Sequence, residues 1–457
     1  MFSAPGIAAL ILLIYIKPQE FIPGLEGVPL LYGFLGLAIF GFILDLRLGH
    51  ARFDPPPHWP YVLLFVPWAF ITYLAKAGGG GFVGAATELI IVMILFFIVG
   101  SAVQSFRAFE VVMGSLLVAS LFVTGVCLHQ GFASKVCAVQ EGVTMEALRP
   151  DGRPCERAEE CSEGNAEPGA NYQCEKMGLF GTVSVGRGRV RYRGVLKDPN
   201  EVALAAGASL PMLFARNERK STLFRWLLLI CGFVAIATTI VFTQSRGGIL
   251  IFLAVVGAYS IKKFGMKGVV AGGILGLPLL LLGGRSGSEA EDSANERTEV
   301  LGAGMQMFQS DPVLGVGYDQ FNNHHHLTAH NSYMLALAEM GVIGLALFLA
   351  MLYLSFKIPI VALRKYGHSE EGKIAATWAM AMLAAFCGVS IGSFFLSFTY
   401  HQVLWIYMGL SAALYAVIRR HDASFVIKIG FSEKILVGLA AVAFPVVIKV
   451  FLRTKGH

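Results

Sequence analysis

His324-His325-His326-Leu327-Thr328-Ala329-His330-Asn331-Ser332-Tyr333 runs without a break into MLALAEMGVIGLALFLAMLYLSF at 334–356. The second part is long enough to cross the hydrocarbon core of a bilayer, which takes about twenty apolar residues as a helix. The first part is polar and crowded with imidazoles. Titratable groups therefore gather where water meets bilayer. A substrate with a polar head and a lipid tail presents its reactive bond at that height.

The same alternation of apolar run and polar loop fills the chain. Of 457 residues, 55% are hydrophobic and 14% charged, against about 25% charged in a soluble domain. Apolar runs fall at about 4–16, 28–46, 59–75, 85–104, 109–129, 198–214, 222–243, 247–261, 268–284, 332–356, 373–397 and 402–418, with 434–452 as a further one. Helices satisfy their own backbone hydrogen bonds inside lipid. The fold expected is an all-α polytopic membrane protein with twelve transmembrane helices, or thirteen if 434–452 crosses. Met1–Ile16 has neither a basic start nor a small-residue cleavage site, so it reads as a first membrane helix and not a removed signal. The net charge of +6 asks for no nucleic acid, because the basic residues sit in short loops between the runs.

Those loops set an expected orientation. With the N-terminus inside, the inner loops hold Arg47 and Arg52; Arg107; Arg216, Arg219 and Lys220; Lys262, Lys263 and Lys267; Lys357, Arg364 and Lys365; and Arg419 and Arg420. That is a strong positive-inside pattern. The last run would place Arg453 and Lys455 outside, which favours a re-entrant or peripheral segment there. The chain then divides into N-terminal transmembrane helices (1–129), a periplasmic cysteine loop (130–197), central helices (198–284), a second periplasmic loop (285–331) and C-terminal helices (332–457). It shows no internal repeat of the transporter kind.

Four cysteines lie in the first outer loop: Cys137, Cys155, Cys161 and Cys174. In an oxidising compartment they suggest two disulfides in any of three pairings, stapling a loop too small for its own core. Metal binding is the rival, with no histidine in the loop beyond His129 at its edge. In the second loop, Ser293-Ala-Asn-Glu296 has capping-box spacing and predicts a helix start. Arg297 would sit in the first turn, and Leu301, Met305 and Phe308 would form one apolar face. Asp311-Pro312 ends that helix, and Gly315-Val316-Gly317 turns the chain back to the histidines.

Arginines on the outer side oppose the charge trend. Arg187, Arg189, Arg191 and Arg193 precede Gly194 and the helix start Asp198-Pro199-Asn200, while Arg246 lies in the tight turn Gln244-Ser245-Arg246-Gly247-Gly248. Any one of these, or Arg297, could simply snorkel to headgroups. Several near a histidine suggest an anionic ligand, because guanidinium forks match phosphate oxygens and a helix start adds backbone donors. The triplet His324–His326 lacks carboxylates or cysteines at ligand spacing, so a metal there is poorly supported. His330, at the head of a helix, could be a polar cap or a general base near neutral pH. Glu339 lies nine residues on, about 13 Å deeper and on the opposite face of a straight helix. It reads as structural, bound to a neighbouring helix or backbone.

Arg191-x-x-Gly194-x-x-x-Asp198-Pro199-Asn200, Ser245-Arg246-Gly247-Gly248, Arg297, Gly315-x-Gly317, His330-Asn331-Ser332-Tyr333 and Glu339-x-Gly341-x-x-Gly344 together resemble the O-antigen ligase / Wzy-type polymerase superfamily across about 185–345. The resemblance implies an inverting, metal-independent membrane glycosyltransferase that needs no cofactor. Its donor would be a glycan on undecaprenyl pyrophosphate, met on the periplasmic face of a bacterial inner membrane. The acceptor would be lipid A–core for a ligase or a lipid-linked glycan for a polymerase. A chain-length regulator or other polysaccharide-assembly proteins are implied partners. Arg191, Arg246 and Arg297 would hold the pyrophosphate, with Arg193 able to replace Arg191, and His330 would activate the acceptor. Asn200 and Gly317 would be structural. The alternatives are a transporter or flippase of lipid-linked glycan, and a ligase that attaches glycan to protein. Clustering of Arg and His on one side favours the enzyme.

Overall fold

A computed structural model describes residues 1–140, 148–163, 166–167, 169–186, 188–265, 267–268, 270 and 288–455. Arg187, nearly all of the expected 268–284 segment and the first residues of the 285–331 loop lie outside the described residues. Five helices come first: α1 (Ser3–Ile16), α2 (Leu30–Arg47), α3 (Trp59–Ala77), α4 (Phe82–Ala102) and α5 (Phe106–Phe132). Three strands follow, β1 (Lys135–Gln140), β2 (Leu148–Pro154) and β3 (Tyr172–Lys176). The chain returns to helix in α6 (Pro199–Arg219), α7 (Leu223–Phe242), α8 (Arg246–Phe264), α9 (Ser288–Ser310), α10 (Ser332–Tyr366), α11 (Lys373–Gly392), α12 (Gln402–His421) and α13 (Phe431–Thr454).

Among the described residues, nine helices are long and apolar enough to cross a membrane: α2–α5, α7 and α10–α13. The chain is a mostly helical, polytopic membrane protein. Three expected crossings are helical but fall short of that measure. The 4–16 run forms α1, only 14 residues long. The 198–214 run becomes α6, with a cluster of small residues at Ala205–Ser209 and ending in Arg216 and Arg219. The 247–261 run becomes α8, framed by Arg246 and Lys262. The doubtful 434–452 run is a 24-residue helix of spanning length with most of its side chains exposed.

The described chain packs as two compact units. The first comprises Met1–Ile7, Phe34–Val112 and Ser286–His457. Here α4 lies against α12 because small residues let the backbones approach: a Cβ on Gly100 would stand 2.8 Å from that of Ala412. Lys357 meets Glu433 at 2.5 Å and the Tyr333 and Phe444 rings lie 6.1 Å apart, so α13 runs antiparallel to α10.

The centre of this unit is a break in α10. At 35 residues, an unbroken α10 would measure about 52 Å, well beyond a hydrocarbon core of about 30 Å. Gly341 interrupts it with φ 65° and ψ −168°. Carbonyls that lose their helical partners at the break are taken by other groups. Val316 N–H donates to Ala338 O, Gly317 N–H to Glu339 O and Trp68 Nε1–H to Met340 O, each at 2.9 Å. In return Val342 N–H donates to Pro312 O at 2.9 Å. Unwound backbone is tolerated at such depth only when its polar groups are satisfied in this way. The strap 311–317 lies so close that a Cβ on Gly341 would be 2.1 Å from Val313 O, and one on Gly315 2.4 Å from Ala338 O. The spacing of Gly315-x-Gly317 and Glu339-x-Gly341 thus records one backbone-to-backbone docking.

The second unit comprises Ala8–Gly33 and Met113–Arg285. In it α6 packs on α8 across Gly248 and Gly207, whose added Cβ atoms would meet Ala203 and Ile251 within 3 Å. The expected all-α reading misses a small antiparallel sheet, ordered β2-β1-β3, inside the 130–197 segment. Its strands are short, and β2, Leu-Arg-Pro-Asp-Gly-Arg-Pro, carries two prolines and a glycine, residues depleted from strands. Cys137 is bonded to Cys161 and Cys155 to Cys174. The four sulfurs, with Val139 and Tyr172, form the local core. The disulfides supply the consolidation that so few apolar residues could not.

Candidate functional site

In the first unit the site is built on the loop after α11. The expected 373–397 run ends as a helix at Gly392, and residues 393–399, in which Ser393, Ser397 and Thr399 alternate with aromatic and apolar side chains, turn back onto the start of α10. Ser332 is the hub. Its N–H donates to Ser393 O (2.7 Å) and its hydroxyl to Leu396 O (2.6 Å). It receives Phe398 N–H at its Oγ (2.8 Å) and the Thr399 hydroxyl at its carbonyl (2.7 Å). Asn331 caps α10, its side chain accepting Met334 N–H at 2.9 Å. One residue earlier, His330 adopts φ 47°, a left-handed conformation uncommon for residues other than glycine, of which asparagine, aspartate and histidine adopt it most often. Its N–H donates to Ser397 Oγ at 2.9 Å, and Thr328 donates its hydroxyl to the same oxygen at 2.8 Å. His330 is half-buried.

Arg297 reaches the same loop. Its guanidinium lies 5.5 Å from the centre of the Phe395 ring, a cation–π distance, two residues from the serine that holds His330. The helix carrying it differs from expectation. α9 is already formed at Ser288, so Ser293-x-x-Glu296 is interior and Arg297 is not in the first turn. The motif's spacing is also the i,i+3 spacing of any helix, and the preceding Glu-Ala-Glu offers no break. Val300 and Met307 are buried, with Ala303 partly so, packed on Phe321, Leu335 and Ala338. Met305 is buried, while Leu301 and Phe308 are only partly so. As expected, the helix ends before Asp311-Pro312.

Glu339 is buried below this region, its Oε1 accepting Phe321 N–H at 3.0 Å. It ties the 317–321 turn to α10. Gly317, at φ 101°, passes where a Cβ would be 2.8 Å from Lys76 Cβ. The histidine triplet is spread around the same turn. His324 Nδ1 lies 3.0 Å from Gln320 O, Leu327 N–H donates to His325 Nδ1, and His325 Nε2 is 3.5 Å from Glu299. His325 is therefore fixed, whereas His324 and His326 are exposed. Among the described residues, the metal-like grouping is Cys137, Cys155 and Cys161, whose sulfurs are already in disulfides.

The second unit holds the other arginines. Arg189 and Arg191 are buried and grip backbone: Arg189 Nε–H donates to Thr243 O (3.1 Å), Arg191 Nε–H to Val183 O (2.9 Å). Arg191 N–H donates to Gln130 Oε1 at 2.8 Å. Burial of this kind is not snorkelling. Arg193 is half-exposed and donates to the carbonyls of Glu20 (2.7 Å) and Phe180. Arg246 is exposed at the first position of α8.

A hydrogen bond links two of the sequence motifs. Ser245, the N-cap of α8, donates to Asn200 Oδ1 at 2.6 Å and accepts Gly248 N–H at 2.9 Å. The starts of α6 and α8 are thus locked together. The expected backbone donors at Asp198-Pro199-Asn200 are a different matter. Asp198 accepts Asn200 N–H at 2.7 Å, and Glu201 accepts Asp198 N–H at 2.9 Å. Both carboxylates belong to a capping box, so these amides serve the helix and not an anion. Sequence reasoning missed Ser393, Ser397 and Thr399. Their signal was three hydroxyl residues interrupting the end of an apolar run.

Residues 231–349 match the O-antigen ligase family. The matched span holds Arg246, Arg297, Gly317, His330 and Glu339; Arg191 and Asn200 lie before it. Comparison with curated proteins gives no match.

Proposed function

Taking its place in the O-antigen ligase/Wzy superfamily as the premise, we propose that this membrane enzyme transfers a glycan from undecaprenyl pyrophosphate to an acceptor sugar. The reaction takes place at the periplasmic face of a bacterial inner membrane. The observation that carries this reading is that Arg246, Arg297 and His330 all fall inside the matched span, with His330 held in a left-handed backbone by Ser397. A sparsely populated backbone state at a titratable residue is a mark of functional positioning.

In this mechanism the sugar arrives already activated, because no nucleotide is available outside the inner membrane. Arg191, Arg246 and Arg297 bind the pyrophosphate and stabilise its charge as it leaves, work that fixed guanidinium groups perform without a metal. The His330 imidazole takes the acceptor hydroxyl proton as attack proceeds on the opposite face of the sugar. A single displacement inverts the anomeric centre.

The test is purified protein with lipid-pyrophosphate donor and acceptor. Arg246→Ala and Arg297→Ala should abolish transfer and weaken donor binding. Lysine should rescue poorly, since an ammonium lacks the bidentate fork. Wild-type turnover at limiting donor in either alanine variant removes that residue from the site. A deletion strain then separates the two acceptors: long lipid-linked polymer accumulates if a ligase is lost, single repeats if a polymerase is lost.

A further inference from the structure

In the first unit, α13 ends on three cations, Lys449, Arg453 and Lys455, all exposed. Glu433, at the other end of the helix, pairs with Lys357 at 2.5 Å, near the basic end of α10. Arg453 lies twenty residues further along, about 30 Å in a helix and so about one hydrocarbon thickness away. The three cations therefore stand on the surface opposite the basic loops, where a positive-inside chain is depleted of them. Their company differs too. At the first surface Lys357, Lys365 and Arg419 are each paired with a carboxylate, at 2.5, 2.7 and 3.1 Å. Lys449, Arg453 and Lys455 have no acidic partner among the described residues, although α9, which packs on α13, carries exposed Glu296 and Glu299.

The surroundings point to a lipid. Ile435, Leu439, Val442, Val446, Lys449 and Arg453 follow one another at spacings of four and three, which is one face of a helix, and all six are exposed. A lipid tail laid along that stripe brings its headgroup to Lys449 and Arg453. The stripe also borders the site already described. Tyr333, three residues after His330, meets Phe444 of α13 at 6.1 Å, and α9 carries Arg297. Snorkelling accounts for a single cation at a helix end. Three of them, spread over about 9 Å of helix axis, match a headgroup with more than one phosphate.

We propose that the end of α13 holds the acceptor lipid, a glycolipid whose head bears more than one phosphate, with an acyl chain along the exposed stripe and the phosphates on Lys449, Arg453 and Lys455. This assignment rests on the glycosyl-transfer reading and adds the chemistry of the acceptor to it. Full-length protein in nanodiscs of zwitterionic phosphatidylcholine is titrated with lipid A, whose disaccharide head bears two phosphates, with its dephosphorylated form and with phosphatidylglycerol. Lipid A should bind about tenfold more tightly than either, the size of one charge-assisted hydrogen bond. Lys449→Gln combined with Arg453→Gln should lose that preference, and Arg453→Lys should keep most of it. Both positions are exposed, so these variants keep the fold. In the transfer assay the double variant should raise the acceptor KM and leave kcat and the donor KM unchanged. Equal binding of phosphatidylglycerol assigns the patch to bulk lipid and overturns the proposal. So does an unchanged lipid A affinity in the double variant, or no preference for the phosphorylated form. The two readings fail separately. If no lipid-pyrophosphate donor supports transfer while lipid A binding still depends on Lys449 and Arg453, the transfer reading falls and the lipid site stands. If transfer proceeds and the double variant keeps the wild-type acceptor KM, the site falls alone.

Discussion

His330 combines a reactive side chain with a backbone state, φ 47°, that asparagine tolerates better than alanine does. That separates its two roles. If the imidazole is the general base, His330→Ala and His330→Asn should both lose about 10²–10⁴-fold in transfer rate while still binding donor. If the position matters only as a cap-forming turn, asparagine should keep the activity. Substituting His324 or His326 singly should cost little, since both are exposed, and chelator should leave the rate unchanged. Loss of activity with chelator would instead point to the triplet. Gly341 is the other decisive residue. With ψ −168° at positive φ, it occupies a region open essentially to glycine, and any Cβ would strike Val313 O. Gly341→Ala should cost more than about 3 kcal/mol, read as a lower thermal midpoint in detergent. Gly302, inside α9 with open space at its Cβ position, is the contrast: alanine there should stabilise by up to about 1 kcal/mol.

At the scale of elements, the sequence was legible where hydrophobic length or helix punctuation spoke, and silent where backbone met backbone. The Asp311-Pro312 stop and the Ser332 start of α10 could be read from residue types. The break at Gly341 could not, because its cause is the strap 311–317, which lies about thirty positions earlier and meets it only in space. The Ser397 contact with His330 was hidden for the same reason. The sheet in the cysteine segment was hidden because its strands are short and β2 carries two prolines and a glycine, which strand propensity disfavours. An ionic contact anchors the strap, Lys76 Nζ to Asp311 Oδ2 at 2.8 Å. That contact, with the Leu314 and Val313 amides, holds the Asp311 carboxyl below the usual range. A lowered folded value means the contribution is fully present above the unfolded carboxyl value of about 3.9. It is then lost as pH falls through the folded value. Asp311→Asn should therefore lower the thermal midpoint by about a degree or two at neutral pH, and the gap to wild type should close in strong acid. A gap that persists unchanged in acid would show that the carboxylate charge is not what anchors the strap.

For the whole molecule, two independent physical signals bear on orientation. One is charge. Lys357, Arg364, Lys365, Arg419 and Arg420 lie towards the ends of α10 and α12 remote from His330. Several are paired with acids there, Lys357 with Glu433, Lys365 with Asp422 and Arg419 with Asp54, but the positive-inside bias counts basic residues and not net charge. The other signal is redox. Two disulfides join the segment between α5 and α6, and disulfides persist in oxidising compartments. Counting crossings from Arg107, the basic residue at the start of α5, places that segment on the side opposite the basic loops. The charge signal sets the His330 end of α10 opposite the basic loops, and we propose that this side is the periplasm. Single-cysteine labelling of intact cells tests the assignment. It needs a background in which Cys127, Cys231 and Cys387, the cysteines outside disulfides, are replaced. Cysteine at 322 or 324, both exposed positions, should react with a membrane-impermeant maleimide, whereas cysteine at 220 or 365 should react only after permeabilisation. Labelling at 365 in sealed cells would reverse the orientation of α10. It would put His330 on the nucleotide-containing side, where the case for a lipid-activated donor no longer holds.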